Sequence, residues 1–257
     1  MQAHSSVNCQ RDVEPSDRRL NLTWIFKMAG EATPAWKWAE QGPPPLDKLQ
    51  PVRLPYSSKR HRHIPVTAYS MINGAYVPLE SGLEHDLLRR VDRDRTVKRI
   101  VSQPFTLFWR GGEAGHHTPD LLAWHVDGSV DVWDAKTEDR QSDDFLHDVA
   151  ITRRACEAVG WRHDVFAGLG KVERLNLLWL HGFRRRPPWA DAAQGQICAA
   201  AACTGATLGD LFDRDDGSGE LIAVVWHLIW SGVLIVDMNV QWDRPTAIAL
   251  RTGSMDN

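Results

Sequence analysis

The stretch from residue 116 to 136 constrains the fold of this chain most strongly, because it reads as two strands joined by a tight turn. One apolar run ends at Asp127-Gly128, a dipeptide favoured in hairpin turns, and a second run begins just after it. Side chains alternate faces along a strand, so Asp134 and Lys136 share one face of the second strand. Asp120 begins the first strand, and the hairpin can therefore bring its carboxylate close to that of Asp134.

The acid pair at residues 120 and 134 predicts a metal site. Two carboxylates in near contact repel each other, and in a partly buried site a divalent cation is the usual remedy. The spacing Pro119-Asp120, then Asp134-Ala135-Lys136, looks like the core of the PD-(D/E)xK nucleases. On these letters alone, an exposed strand with a surface ion pair explains the pattern equally well. The neighbouring elements must therefore decide between the two interpretations.

Capping and turn signals around the hairpin predict an α/β unit. Ser81 is a good helix N-cap and Glu84 completes a capping box, which alone is a sufficient reason for a glutamate at that position. A strand over 103–109 precedes the hairpin, a helix begins after Ser142, and a last strand follows over 161–166. The order is helix, three strands, helix, strand, and it predicts a sheet whose faces are partly covered by helices.

Composition narrows the class of protein. The 257 residues carry a formal charge of -3, so any nucleic-acid surface must be a local patch. The four cysteines show no CxxC pair and no zinc spacing, which is typical of reduced thiols in a cytosolic protein. The sequence has no apolar run long enough to span a bilayer, and its N-terminal residues show no signal-peptide pattern. We therefore expect a cytoplasmic protein without a membrane partner.

Four motifs in a fixed order resemble the TnsA-type endonuclease subunits of heteromeric transposases. They cover about residues 75–170 and read Ser81-Gly82-Leu83-Glu84, Gln103-Pro104-Phe105, His117-Thr118-Pro119-Asp120 and Asp134-Ala135-Lys136. The resemblance implies a restriction-endonuclease-like mixed sheet flanked by helices, and an active site made of Glu84, Asp120, Asp134 and Lys136. It also implies cleavage of double-stranded DNA at transposon ends in the bacterial cytoplasm. The implied partners are a transposase subunit of TnsB type and an AAA+ ATPase of TnsC type.

The chemistry of these residue types agrees with the implied roles. Asp120 and Asp134 would hold magnesium, or manganese in its place, with the carbonyl of Ala135 as a further ligand. Lys136 would orient the attacking water, and Glu84 could bind a second metal or a metal-bound water. We expect Asp134→Ala to stop cutting at little cost in stability, since it removes one of two repelling acids. Three further neighbours of the site are His116, His117 and Gln103.

The N-terminal part of the chain predicts little regular structure. Residues 1–70 read as an irregular arm because prolines interrupt them from Pro34 onwards, although 21–29 could form a short strand or helix. Asn73-Gly74 then predicts a hairpin turn at the start of a nuclease domain over 71–182. Two basic groups, either DNA-binding or merely solvated, are Lys59, Arg60 and Arg62, and then Arg184 and Arg185.

The last third of the sequence predicts a small winged-helix-like domain over 188–257, after an apolar strand over 175–180. An alanine-rich helix, a short helix capped by Thr207, a third helix and a strand over 233–236 follow one another. The third helix carries almost no lysine or arginine, so contact with a protein is favoured over reading of a DNA sequence.

Two other functions remain open at this point. One is a restriction or repair nuclease with the same core. The other is a catalytically silent DNA-binding or scaffolding protein, against which the acid pair argues because buried acids are costly without a metal.

Overall fold

The structure is a computed structural model that describes residues 21–30, 35–54, 66–111 and 114–251. The strands are β1 (Asn21–Met28), β2 (Ala35–Trp36), β3 (Leu49–Gln50), β4 (Val66–Ser70), β5 (Ala75–Leu79), β6 (Val97–Ser102), β7 (Phe105–Arg110), β8 (Gly115–His117), β9 (Leu121–His125), β10 (Val130–Ala135), β11 (Arg162–Phe166), β12 (Leu234–Ile235) and β13 (Ala249–Leu250). The α-helices are α1 (Trp38–Gln41), α2 (Gly82–Asp92), α3 (Asp143–Glu157), α4 (Lys171–His181), α5 (Ala190–Ala201), α6 (Leu208–Phe212) and α7 (Glu220–Trp230). The protein is therefore mixed α/β, as the sequence predicts.

The sheet that carries the predicted acids has the strand order β11-β10-β9-β6. β9 and β10 pair antiparallel with Trp133 opposite Leu121, whereas β10 and β11 run parallel with Asp134 opposite Val165. The connection between β9 and β10 passes through Gly128, whose φ of 92° lies in the left-handed region that favours glycine. The predicted hairpin is thus confirmed.

The two faces of this central sheet pack on different elements. On one face, Leu87 and Leu88 of α2 pack in a cluster with Leu121. On the other face, Val132 packs in a cluster that also contains Ile151 of α3 and buried residues of β1 and β7. Full burial of each such aliphatic side chain contributes roughly 1.5–3 kcal/mol. A sheet flanked by helices, as predicted, is the result.

A second, antiparallel sheet contains part of the segment expected to be an irregular arm, and β1 confirms the strand alternative for 21–29. Its order is β2-β1-β7-β8, and β3 also pairs with β1. β1 runs beside β7 from Asn21, opposite Arg110, to Phe26, opposite Phe105. The ring of Phe105 lies 4.7 Å from that of Trp24, centroid to centroid, in a buried aromatic cluster. Prolines restrict later residues, but they do not interrupt 21–28, where a distant strand supplies the partner.

The hairpin predicted at Asn73-Gly74 is also confirmed. β4 and β5 pair antiparallel on either side of it, with Ser70 opposite Ala75. Asp92 at the end of α2 holds this turn, because its carboxylate accepts hydrogen bonds from the Ser70 hydroxyl at 2.5 Å and from the backbone N–H of Ile72 at 3.1 Å. The hairpin is thereby fixed beside α2.

The strand predicted over 103–109 begins later than expected, because the chain turns a corner at Gln103-Pro104. β6 belongs to the central sheet, and β7 leaves it for the second sheet. Proline has no N–H to donate to a strand ladder, so a continuous strand is broken there. Gln103 has a φ of 45°, and no other non-glycine residue in the described ranges has a positive φ.

The C-terminal helices form a hydrophobic cluster of their own that runs from Leu177 to Ile248. The strand expected over 175–180 is wrong, since these residues lie in α4, where Leu177 and Leu180 are buried at helical spacing while Trp179 faces solvent. The predicted third helix is confirmed as α7. The predicted division of the chain at 182–188 stays a prediction, although it separates α4 from the cluster in which it packs.

None of the helices in the described ranges is both long and apolar enough to cross a membrane.

Candidate active site

Three carboxylates from three different elements meet at one end of the central sheet. Asp120 precedes β9, Asp134 lies near the end of β10, and Glu84 lies in the first turn of α2. The Asp120 carboxylate accepts a hydrogen bond from the backbone N–H of Ala135 at 2.7 Å, which ties it to β10. Burial raises the pKa of Asp120 well above its usual range, and the nearby charges of Glu84 and Asp134 raise it further. The fold therefore brings the predicted acids within electrostatic reach of one another.

Two histidines bracket the carboxylate of Asp134. His117 Nε2 lies 2.7 Å from one carboxylate oxygen, and His163 Nε2 lies 2.9 Å from the other. Burial alone would raise the pKa of Asp134, but the two histidine hydrogen bonds outweigh that effect and hold the pKa below its usual value. Asp134 is therefore kept ionised and fixed in orientation, while Asp120 favours its protonated form.

Lys136 directly follows β10 and lies on the face of the sheet that packs on α3. Its ammonium group sits 4.6 Å from the ring centre of Phe145 in α3, an arrangement that favours a cation. Its backbone N–H donates to the carbonyl of Phe166 at 3.0 Å and so continues the β10–β11 pairing by one residue. The alternation that places Asp134 and Lys136 on one face is consistent with these contacts.

Glu84 helps to hold the start of α2 in a variation on the predicted capping box, because the backbone N–H from which it accepts belongs to Glu80, one residue before the N-cap Ser81. One carboxylate oxygen accepts from the backbone N–H of Glu80 at 2.8 Å, and the other accepts from the Ser81 hydroxyl at 2.9 Å. Burial raises the pKa of Glu84 above its usual value. The cap fixes the carboxylate beside Asp120, so the structural role and a role in the site are compatible.

Gln103 connects this wall of the site to Asp120. Its backbone N–H donates to the carbonyl of Asp120 at 2.9 Å. Its side-chain amide donates to Glu80 at 2.8 Å and accepts from Arg53 at 3.1 Å. Gln103 is buried, so an unusual backbone conformation is held where it contacts two elements of the site.

Sequence reasoning missed His163, Arg53 and Glu80 as neighbours of the site. His163 reaches Asp134 because β11 runs parallel beside β10, and no short-range motif signals that pairing. Of the predicted histidine neighbours, only His117 contacts an acid of the site in the described ranges, while His116 stacks on the exposed ring of Phe108.

Only some of the predicted DNA-binding residues lie in the described ranges. Lys59, Arg60 and Arg62 lie outside the described residues. Arg184 is half-buried and donates to the carbonyl of His181 at 2.9 Å, whereas Arg185 is exposed. Of these two adjacent arginines, Arg184 therefore has a packing role and Arg185 faces solvent.

The donor atoms of the site match a hard divalent cation in kind. Asp120, Asp134 and Glu84 offer carboxylate oxygens, the ligands that magnesium and manganese prefer. One oxygen of Asp120 has no hydrogen-bond partner within the described ranges. Burial first, and then the negative charges of Glu84 and Asp134, raise the pKa of Asp120, and a bound cation would offset both effects. Across those ranges, no group of three or more His, Cys, Asp or Glu side chains is already arranged to hold a metal ion.

Comparison with known proteins adds no family: no protein-family model matches this sequence, and no curated protein matches it either.

Proposed function

We propose that this protein is a metal-dependent DNA endonuclease with a PD-(D/E)xK active site, acting as the TnsA-like subunit of a heteromeric transposase. The observation that supports the nuclease chemistry is that Asp120 lies within electrostatic reach of both Glu84 and Asp134 at one end of the sheet, where Lys136 lies two residues after Asp134. In this proposal the central sheet with α2 and α3 is a restriction-endonuclease-like fold. The specific role in transposition rests on the motif resemblance.

In this proposal, different residues of the site have different roles in phosphodiester hydrolysis. A magnesium or manganese ion, held by Asp120, Asp134 and the carbonyl of Ala135 with Glu84 beside them, would supply charge relief on the phosphate and a more acidic water. Lys136 donates a hydrogen bond to the attacking water and offsets negative charge on the phosphate. His117 and His163 keep the Asp134 carboxylate oriented.

The proposed roles are tested by cleavage of plasmid and linear duplex DNA in magnesium. Asp120→Asn, Asp134→Asn and Lys136→Gln should each lower the rate at least about 100-fold, the usual scale for losing an acid–base or metal-binding group. Asp164→Asn is the matched control, because Asp164 lies on the adjacent strand and is mostly exposed. Equal activity of the wild type and all three site variants would refute the assignment.

We propose further that the C-terminal helices form a winged-helix-like unit whose surface contacts a partner protein. Three helices followed by the paired strands β12 and β13 support that order. α7 stands where a recognition helix would stand, yet residues from Leu221 to Trp230 are largely buried, so it cannot enter a DNA groove as it is packed.

A restriction or repair nuclease remains the second candidate function, because the acid site alone fits it equally well.

A further inference from the structure

A cavity of about 410 Å³ lies where the end of α2 approaches the C-terminal helices. Arginines are prominent in its lining, which includes Arg90, Arg93, Arg95 and Arg251 and the acids Asp94 and Glu173. The local charge is thus positive in a protein whose net charge is negative. Arg90, Arg93 and Arg95 are close in sequence, at and just after the end of α2, and the fold brings the distant Arg251 to them.

Backbone carbonyls hold two of these arginines in place. Arg93 donates to the carbonyl of Ile229 at 3.0 Å, and Arg251 donates to the carbonyl of Gly232 at 2.8 Å. A guanidinium group has five N–H donors, so each retains donors for another acceptor. Burial lowers the pKa of Arg93, and the neighbouring positive charge of Arg251 lowers it further. Two like charges held close together in this way are stabilised by an anion.

No carboxylate lies within 4.0 Å of any of the four arginine side chains in the described ranges. This differs from Arg89 and Arg174, which share the carboxylate of Asp86 between α2 and α4. Capping of the α7 carbonyls is a sufficient structural reason for Arg93 alone. It gives no reason for Arg95, which is exposed and lines the same cavity, while exposed Arg90 has its guanidinium 5.9 Å from the ring centre of Phe166 and has no carboxylate partner within the described ranges.

We propose that this cavity binds a phosphate oxyanion. The planar guanidinium fork matches phosphate oxygens and forms paired, charge-assisted hydrogen bonds with them. The phosphate comes either from the backbone of duplex DNA, a source that rests on the proposed nuclease function, or from a free phosphate or pyrophosphate. Arg93 lies roughly 13 Å along α2 from Glu84, which is comparable to the width of a DNA major groove.

The test measures binding without cleavage, in EDTA. Arg90→Gln combined with Arg95→Gln removes two exposed charges from the cavity and breaks no ion pair. Arg154→Gln combined with Arg214→Gln is the matched control, because both residues are exposed and neither lines the cavity. Fluorescence anisotropy measures the affinity for a duplex of about 20 bp and arbitrary sequence at salt concentrations between about 50 and 200 mM, the range over which phosphate contacts are salt-sensitive. Calorimetry measures the affinity for pyrophosphate.

Each outcome bears on the phosphate site. If DNA is the source, the slope of log affinity against log salt falls by about 2 in the cavity variant and stays unchanged in the control. If free phosphate is the source, DNA binding is unchanged while pyrophosphate binding weakens at least about tenfold, as expected for loss of charge-assisted contacts. Wild-type behaviour of the cavity variant towards both ligands would overturn the proposal. A failed cleavage assay alongside a changed slope would reject only the nuclease function.

Discussion

At the scale of single residues, Asp120 and Asp134 are both acids of the proposed site, but they make opposite contributions to stability. The pKa of Asp120 is raised by burial and by its acidic neighbours, whereas the pKa of Asp134 is lowered overall by two histidines. An acid whose pKa is raised by folding stabilises the protein below its unfolded pKa, and that stability is lost as the pH rises through the folded pKa. An acid whose pKa is lowered contributes above its unfolded pKa and loses its contribution on acidification.

We therefore expect Asp120→Asn to stabilise the metal-free protein at pH 7 by on the order of 1 kcal/mol. The advantage should shrink as the pH falls through the raised folded pKa, and it should vanish below about pH 3, where the wild-type carboxyl is protonated in both folded and unfolded states. Urea unfolding in EDTA at several pH values measures the difference in unfolding free energy between Asp120→Asn and the wild type. An advantage that grew on acidification would contradict the assignment of a raised pKa to Asp120.

The opposite result is expected for Asp134→Ala. We predicted from the sequence that this change costs little stability, but His117 and His163 both depend on the Asp134 carboxylate, and the His163 side chain is fully buried. Loss of their acceptor should cost about 1–3 kcal/mol. Asp134→Asn keeps one oxygen acceptor and is the milder control. Equal unfolding free energies for the wild type and Asp134→Ala would show that the histidines find other partners.

Substitutions at Gln103 separate the effect of its backbone strain on stability from the effect of its side-chain hydrogen bonds. Both Gln103→Ala and Gln103→Gly remove the contacts to Arg53 and Glu80, but only glycine adopts the φ of 45° without strain. We expect Gln103→Gly to be more stable than Gln103→Ala by about 1 kcal/mol. Thermal unfolding compares the two. Alanine as the more stable variant would show that the corner changes conformation once the side chain is lost.

At the scale of elements, the sequence predicted the features that depend on neighbouring residues. The turns at Asp127-Gly128 and Asn73-Gly74 follow from dipeptides that favour hairpins, and α2 and α3 begin where Ser81 and Ser142 accept capping hydrogen bonds. In the site, the spacing of Asp134 and Lys136 was sufficient to place them on one face, because alternation along a strand is a local rule.

Features that depend on contacts between distant parts of the chain could not be predicted from local sequence patterns. β1 takes most of its pairing from the distant strand β7, and His163 reaches Asp134 only through a parallel strand. The α4 segment was mistaken for a strand because a short apolar run of this length fits either structure. Among the arginines of the cavity, Arg251 could not be assigned to the same site from the sequence, since packing of α2 beside the C-terminal helices brings it to Arg90, Arg93 and Arg95.

The packing of α4 leads to a prediction about truncation. Leu177 and Leu180 lie in the C-terminal cluster, so a chain that ends after Arg186 keeps α4 but loses the residues that bury it. We expect that chain to bind a hydrophobic dye and to aggregate more than a chain that ends after Gly168. Size-exclusion chromatography and dye fluorescence compare the two. A monodisperse chain ending at Arg186 would show that α4 packs independently of the later helices.

At the scale of the whole molecule, the distribution of charge predicts dependence on a partner. The formal charge is -3, and α7 is both buried and poor in basic residues, so the protein has weak means to find a DNA site by itself. We expect slow cutting of element-end DNA by the protein alone, and at least about tenfold faster cutting with the cognate transposase and ATPase subunits, on the scale of a modest coupling energy. Efficient end-specific cleavage without them would refute this dependence and leave the metal chemistry intact.

The place of α7 in the chain also sets an order of events during synthesis. Eight of its residues are buried, seven of them in the C-terminal cluster, yet the ribosome delivers α4, α5 and α6 before it. Until α7 emerges, α4 can pack on α2 and α5 on α6, but the apolar faces that these three helices turn towards α7 stay uncovered, while the strands of the central sheet are already available to pair. The nascent chain is therefore expected to fold its sheet first and to need chaperone protection late in translation.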